Sequence, residues 1–438
     1  MIAFVALVFA QDAAALEDRL VKGMRAVTPA VMREYLTYLA SDELEGRLAG
    51  FPGNDKATEF IAKRYKEAGL VPIGDKGEDG KPTYFQHFQT PHDTRTRNTV
   101  ALLEGTDPEL KKQYIVVGGH HDHVGRTGQR GPGKIGRPAE GDDIWNGADD
   151  NGSGTTTVIT IVKAFATSGL RLRRSVIFMT YSAEEWGLLG SAHYVKNPIY
   201  PLETIAAMLN MDMVGRGGVD RATPVGGVAT AKGEILRRAV TNAAEAADLN
   251  ITIGDSYGPS SDMASFGAKR VPVISFSENG PCPDYHRVTD HSDKINYEYM
   301  ARIGQMIFLT IAALGNRAER PEWNPEYKMP TGAADGPRLG ITTEDLTDEE
   351  VAALKLGAAD GAVRLSGITP GSVAEKVGLK EGDIVVAFGG SALPKEDPLG
   401  ELRKRIGAVK PGVPVPIEFV RAGNREKVEA VWPVAQER

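Results

Sequence analysis

Residues Tyr114–Gly125 read YIVVGGHHDHVG: a short apolar run, two glycines, then three histidines and an aspartate in the four positions from His120 to His123. A brief Val/Ile run bounded by glycine is the pattern of a strand buried on both faces, as in parallel sheets covered by helices. The polar cluster follows at that strand's carboxyl end, the place where open α/β sheets bind ligands. On an extended segment, alternate side chains share a side. His120 and Asp122 then face one way, His121 and His123 the other. If His120 holds a metal, alternation puts Asp122 on its side and leaves His121 and His123 outside the ligand set.

The same texture recurs along the chain. RSVIFMTYSAEE, IAAMLNMDMVG and VPVISFS read as strands, whereas GSGTTTVITIVKAFATSG, WGLLGSAHYVKN, KGEILRRAVTNAAEAADL and NYEYMARIGQMIFLTIAAL have helical period. Upstream, VMREYLTYLASDELEG and NDKATEFIAKRYKEAGL also read as helices. Alternating strands and helices predict an α/β domain with a mostly parallel central sheet flanked by helices. After Leu314 the chain turns rich in proline, glycine and charge without periodicity. The reading is a large first domain over 16–316, a linker over 317–336 and a small α+β domain over 337–438.

With 438 residues the prior is two or three domains. A net charge of −7 and a pI near 5.7 argue against nucleic acid or an anionic membrane as the main partner. The lone cysteine, Cys282, excludes an intramolecular disulfide and any thiolate-rich metal site, so a metal here must be held by His, Asp and Glu. The opening MIAFVALVFA is apolar and ends in a small-x-small pattern, yet is too short to span a bilayer and lacks a basic start. Residues 1–15 are read as a truncated signal peptide, and the expected location is secreted or periplasmic. No other segment reads as transmembrane.

Histidines and carboxylates gather at the predicted strand ends: His120 and Asp122, the Asp149–Asp150 pair, the Glu184–Glu185 pair, Asp212, and His286 a short loop after VPVISFS. One catalytic zinc needs three protein ligands and water. This set is larger and suits two ions sharing a bridging carboxylate. Close carboxylates raise one another's pKa, and two dications relieve that repulsion. Residue spacing separates neither Asp149 from Asp150 nor Glu184 from Glu185.

GGHHDHVG, NGADDNGSG, AEEWGLLGS, NMDMVG and YHRVTDHSDKI, with LASDELEGRLAG upstream, occur in the order of a known family. The chain resembles, from Leu36 to Leu314, the co-catalytic zinc aminopeptidases of the bacterial leucyl aminopeptidase and aminopeptidase Y type, clan MH peptidases. The resemblance implies a zinc-exopeptidase fold and two zinc ions held by His120, Asp150, Glu185, Asp212 and His286. It implies Asp150 as the bridge, Glu184 as general base, and Asp122 as the carboxylate that orients His120. The substrate would be a peptide or protein with a free N-terminus. Tyr257, in DSYGPSSDMASF, is the candidate for stabilising the oxyanion, although Met263 stands where the family commonly has histidine. Other amide hydrolases, carboxypeptidases or glutaminyl-cyclase-like enzymes of the same fold are the alternative, as is a peptide-binding protein with an inactive peptidase domain. Cyclases of that kind use one zinc, so the intact ligand set disfavours them.

The C-terminal stretch GSVAEKVGLKEGDIVVAFGG resembles a PDZ module of the kind attached to periplasmic proteases. That resemblance implies a carboxylate-binding loop at Leu339, Gly340 and Ile341 that takes a peptide C-terminus by strand addition. A module that only packs on or regulates the catalytic domain is the equal alternative.

Overall fold

The computed structural model describes residues 13–328 and 339–433, apart from 92, 130–133, 135–137, 258–259, 280–281, 345, 347, 369–370 and 396–397. Most of the expected signal segment and residues 329–336 of the expected linker lie outside the described residues. Contacts divide the chain into two compact units, Met1–Gln129 with Ile144–Pro330, and Arg130–Asp143 with Thr331–Arg438.

The first unit is built on a nine-stranded sheet. Its strands are β1 (Val71–Pro72), β2 (Phe85–Gln89), β3 (Arg95–Leu103), β4 (Tyr114–His120), β5 (Ser175–Tyr181), β6 (Ile205–Met211), β7 (Thr223–Gly226), β8 (Ile251–Ile253) and β9 (Val273–Phe276). The spatial order is β1-β3-β5-β4-β6-β9-β7-β8, with β2 also on β3. β4 lies between β5 and β6 and runs parallel to both, and β9 continues the parallel set beside β6. The flanks are antiparallel: β3 on β5, and β7 on β9. The central strands match the sequence expectation. The flanking β2, β3, β7 and β8 are short or polar, and no run of apolar residues announces them.

Both faces of the sheet are covered, which explains why the central strands are apolar at every position. Ile115 and Val117 of β4 face one core, with Val176, Phe178, Ala207 and Leu209. Val116 faces the other, with Ile177, Met179 and Met208. The first core is roofed by α1 (Ala13–Ala26), α2 (Pro29–Leu39), α3 (Pro52–Glu67), α4 (Gly154–Ser168), α6 (Ile235–Ala246) and α8 (Tyr297–Asn316); the second holds Tyr194 of α5 (Leu189–Lys196) and Phe266 of α7 (Met263–Gly267). In α2 the buried Met32, Tyr35, Leu36 and Leu39 repeat at three and four residues, and Thr28 caps its start by accepting the Val31 N–H.

The segment after α8, expected as a linker, is tied to the first unit as far as Tyr327. Lys232 N–H donates to the Glu322 carbonyl at 2.8 Å and Asn324 N–H to Thr230 at 2.8 Å. Arg320 donates to the Ile205 carbonyl, and Tyr327 stacks on Tyr257. An aperiodic, proline-rich chain is held here by backbone hydrogen bonds, which leave no periodic trace in a sequence.

The second unit contains a separate antiparallel sheet whose strands include Ile341–Glu344, Val363–Ile368, Ile384–Phe388 and Val415–Arg421. Its core gathers Leu365, Val385, Phe388, Leu402, Phe419 and Trp432. Arg421 donates twice to the buried Asp383 carboxylate, at 2.6 and 2.7 Å.

Packing of α8 makes a direct test of this core. Phe308 is fully buried against Phe165, with ring centroids 4.8 Å apart, and a Cβ at Gly23 of α1 would fall 2.2 Å from its ring. Phe308→Ala is expected to cost about 3–5 kcal/mol of stability, read by denaturant unfolding. Gly23→Ala is expected to destabilise as well, by overpacking.

Candidate metal centre

Five chain turns meet at the carboxyl ends of the central strands. His120 ends β4, Glu184 and Glu185 follow β5, Asp212 follows β6, and His286 lies in the loop after β9. Asp150 sits in the tight turn that enters α4. Two glycine-dependent approaches draw these turns together. A Cβ on Gly119 would fall 2.5 Å from the Met211 carbonyl, so β4 and the end of β6 can close only on a glycine. The turn residue Gly147 has φ +57°, and its Cα faces the His123 ring. Around the ligands the backbone is strained: Ala183 before Glu184, Met213 after Asp212, and His286 itself hold φ of 54–57°. Such left-handed non-glycine residues cost roughly 1–2 kcal/mol each and concentrate at functional sites.

Asp150 stands between two groups of donors. Its Oδ1 lies 3.3 Å from His120 Nε2, which is also 3.4 Å from Asp212 Oδ1. Its Oδ2 lies 2.9 Å from His286 Nε2, which is 3.0 Å from Glu185 Oε2. His120, Asp150 and Asp212 thus form one set within reach of a single ion, and Asp150, Glu185 and His286 belong to another. Glu184 Oε2 stands 3.8 Å from His120 Nε2, beside the first set. The two adjacent glutamates, on a tight turn, make their nearest histidine contacts to different rings, Glu184 to His120 and Glu185 to His123 and His286.

His123 is brought into the second set, against the alternation expected for it. Its Nδ1 is 2.9 Å from Glu185 Oε1 and 4.0 Å from Asp150 Oδ2, and its ring meets His286 edge-on at 5.4 Å. The physical reason is local. β4 ends at His120, and the chain beyond it is not extended in a sheet, so period two stops there. His123 N–H donates instead to the Arg47 carbonyl, and Gly125 N–H to Gly46, which turns the imidazole inward. His121 does face away: its Nδ1 lies 2.9 Å from the Thr180 hydroxyl in the sheet.

Asp122 differs in detail from the expectation. His120 Nδ1 is 3.2 Å from the Asp122 backbone carbonyl and 3.7 Å from its carboxylate. The carboxylate accepts the Glu184 N–H at 3.1 Å and the Glu185 N–H at 3.4 Å, so it holds the glutamate turn at least as much as the imidazole. Asp149 turns away from the centre, accepts the Gly215 N–H at 2.8 Å and stands by Glu278 and Cys282.

Tyr257 is 2% exposed, stacks on Tyr327 at 6.0 Å, and turns its hydroxyl towards Gly267. Burial raises the pKa of its phenol, and Tyr327 adds to the rise. That placement puts it in the second core, stacked on Tyr327. The tyrosine beside the carboxylates is Tyr285, which stacks on the His286 ring at 3.9 Å and is 39% exposed. Burial of its phenol, then Asp150 and Glu185, raise its pKa.

Two residues that frame the centre have no chemical motif of their own. Arg47 is 1% exposed, and its guanidinium donates to the carbonyls of His121, Leu39, Asn146 and Gly147 at 2.6–2.8 Å. It thereby joins the turn carrying His120 and His123 to the turn carrying Asp150. Burial lowers its pKa to about 10, opposed by Asp290, Asp122 and Asp150. Asp290 accepts the N–H groups of Asp149 and Asp150 at 3.0 and 3.1 Å, and burial followed by Asp149 pushes it to about 7. The only sequence signals for them were the LEGR and TDHSD stretches.

Burial and partners also divide the ligand carboxylates. Burial raises Glu184 well above the usual carboxylate range, although His120 pulls the other way. Burial opposes ionisation of Asp150 as well, but hydrogen bonds from His120 and His286 hold it well below that range. In Glu185, burial is likewise outweighed, here by His286 and His123, and its pKa falls to about 2. The donors of the two sets, three imidazoles and three carboxylates, are the mixed N/O set that zinc and similar dications prefer.

Residues 98–311 match the profile described as Peptidase family M28. A leucine aminopeptidase 1 of Trichophyton equinum is 27% identical over 231 residues, which are 49% of this chain and 57% of that protein. The chain therefore spans little more than half the length of that curated relative. Among solved structures, the LapA aminopeptidase of Legionella pneumophila superposes with a TM-score of 0.53 at 18% identity, over 69% of this chain and 76% of that one. A zinc aminopeptidase from Bacillus subtilis gives 0.51 at 14% identity, over 69% and 99%. These structures establish the zinc-exopeptidase fold.

Removing the Arg47 guanidinium leaves several buried carbonyls without a donor, at roughly 1–3 kcal/mol each. Arg47→Met is expected to lose at least about 3 kcal/mol of stability. Arg47→Lys is expected to restore little, because one ammonium cannot span the fork that guanidinium fills. Thermal denaturation of the metal-free protein reads both.

Proposed function

We propose that the chain is a metal-dependent aminopeptidase that hydrolyses the N-terminal peptide bond with two zinc ions and a glutamate base. The observation that carries this reading is the placement of Asp150 between two donor sets, with Glu184 beside the first of them, 3.8 Å from His120 Nε2. The match to a peptidase family and the likeness to a leucine aminopeptidase support the same conclusion. His120 and Asp212 would hold one ion, Glu185 and His286 the other, and Asp150 would be shared. Bound there, the ions would supply Lewis acidity and make water acidic near neutral pH.

The chain's own residues then divide the work. Glu184, raised by burial, takes the proton of the attacking water and returns it to the leaving amine, since a base poised nearer neutrality serves both transfers. Asp122 fixes Glu184 by accepting its backbone N–H, and Asp290 fixes Asp150 in the same way. The Asp212 carboxylate is the most open of the ligand side chains, at 23% exposure. An anionic edge there favours a free substrate ammonium over a blocked N-terminus.

For the second unit, the reading is a PDZ-like module that takes a free peptide C-terminus at Leu339, Gly340 and Ile341. Gly340 has φ +79°, Leu339 accepts the Ala374 N–H, and Ile341 opens a strand, which is a backbone arrangement suited to strand addition. Export to the periplasm or beyond belongs to the same proposal and rests on the apolar opening of the sequence.

Glu184→Gln is expected to lower kcat on leucine p-nitroanilide by ~10²–10⁴-fold while zinc content is unchanged. Chelation abolishes turnover of the parent protein and zinc restores it. Unaltered turnover in the variant sinks the base assignment, and equal cleavage of N-acetylated peptides sinks the aminopeptidase reading. For the module, the full chain is expected to bind peptides with a free C-terminus at least tenfold more tightly than their amides, by fluorescence polarisation. Equal binding of acid and amide would leave the second unit a packing or regulatory element.

A further inference from the structure

We propose that His123 is itself a metal ligand, through Nδ1, on the ion shared by Glu185, His286 and Asp150. This deepens the two-metal reading above and rests on it. The centre is then asymmetric: four protein donors on one ion (His123, His286, Glu185, Asp150) and three on the other (His120, Asp212, Asp150).

Donor spacing makes the case. One ligand atom from each of His123, Asp150, Glu185 and His286 lies within 4.8 Å of the others. Donors ~2.0–2.1 Å from a tetrahedral zinc stand about 3.3–3.4 Å apart. His123 Nδ1 lies 2.9 Å from Glu185 Oε1, within hydrogen-bond reach, and 4.0 Å from Asp150 Oδ2, while His286 Nε2 lies 3.0 Å from the other oxygen of Glu185, Oε2, and 2.9 Å from the same Asp150 Oδ2. The ring has no exposure and its Nε2 has no hydrogen-bond partner. A buried imidazole aimed by one nitrogen at two carboxylates and a second imidazole is placed for a cation.

The backbone is shaped to put it there. A Cβ on Gly147 would lie 2.4 and 2.5 Å from His123 Cδ2 and Cγ, so the turn leading to Asp150 leaves room for this ring. His123 N–H is held by the Arg47 carbonyl, and the Arg47 guanidinium in turn holds the carbonyls of Asn146 and Gly147. One buried arginine therefore fixes both walls of the slot.

The chemical consequence is a division of labour. An ion with four protein donors is closed, the habit of structural zinc. An ion with three keeps a position for water or substrate, the habit of catalytic zinc. The ion beside Glu184, His120 and Asp212 is then the weaker and exchangeable one. The ion beside His123 is retained.

The test uses the full chain, ¹⁵N-labelled in histidine, stripped by chelator and loaded with two equivalents of ¹¹³Cd²⁺. Three histidines, His120, His123 and His286, are expected to show cadmium–nitrogen scalar coupling, with His123 coupled through Nδ1. Coupling in only His120 and His286 overturns the proposal and leaves His123 as a residue that positions Glu185. A chain that binds one ion refutes the two-metal reading, and His123 coupling to that ion still decides this proposal. His123→Gln, checked for folding by circular dichroism, is expected to weaken the tighter of two Zn²⁺ steps in competition with a chromogenic chelator by more than ~100-fold. That exceeds the 10–100-fold typical of an outer-sphere partner. Loss of under tenfold counts against ligation.

Discussion

The centre is governed by the cost of burying negative charge. Asp122, Asp149, Asp150 and Asp290 are at most 3% exposed, and Glu184, Glu185 and Asp212 complete the same rim. Unpaired carboxylates in such a place are pushed towards the neutral form. The protein meets this in several ways. Backbone N–H groups go to Asp122 and Asp290, imidazoles go to Asp150 and Glu185, and Arg47 supplies a fixed positive charge from below. The carboxylates that gain imidazoles ionise easily. Glu184, beside only one, stays raised.

Much of this was legible in the sequence, because the central strands are uniform in texture and each ends in a titratable residue. Runs such as SVIFMTY and YIVVGG read directly as strands with both faces covered, and the ligand positions follow from where those runs stop. His123 was not legible. Alternation is a property of paired strand, and β4 ends at His120, so the side on which His123 falls is set by hydrogen bonds to Arg47 and Gly46, residues some 75 positions earlier. Tyr257 and Tyr285 show the same limit. Both stand in glycine- and proline-rich loops, and only packing tells that the first is stacked in the core on Tyr327 while the second lies on His286. The stretch from Arg317 to Tyr327 has the composition of a linker and the bonding of a domain.

Rigidity and openness are arranged on opposite sides of the centre. On the inner side, His120, His123, Asp150 and Asp122 are at most 4% exposed and are braced by Arg47, Asp290 and strained turns. On the outer side, Asp212, Glu184 and the exposed Tyr285 ring carry what solvent contact the centre has. Solvent therefore reaches the centre from the side that bears Glu184, Asp212 and Tyr285. The His123 ring, with no exposure, lies on the inner side.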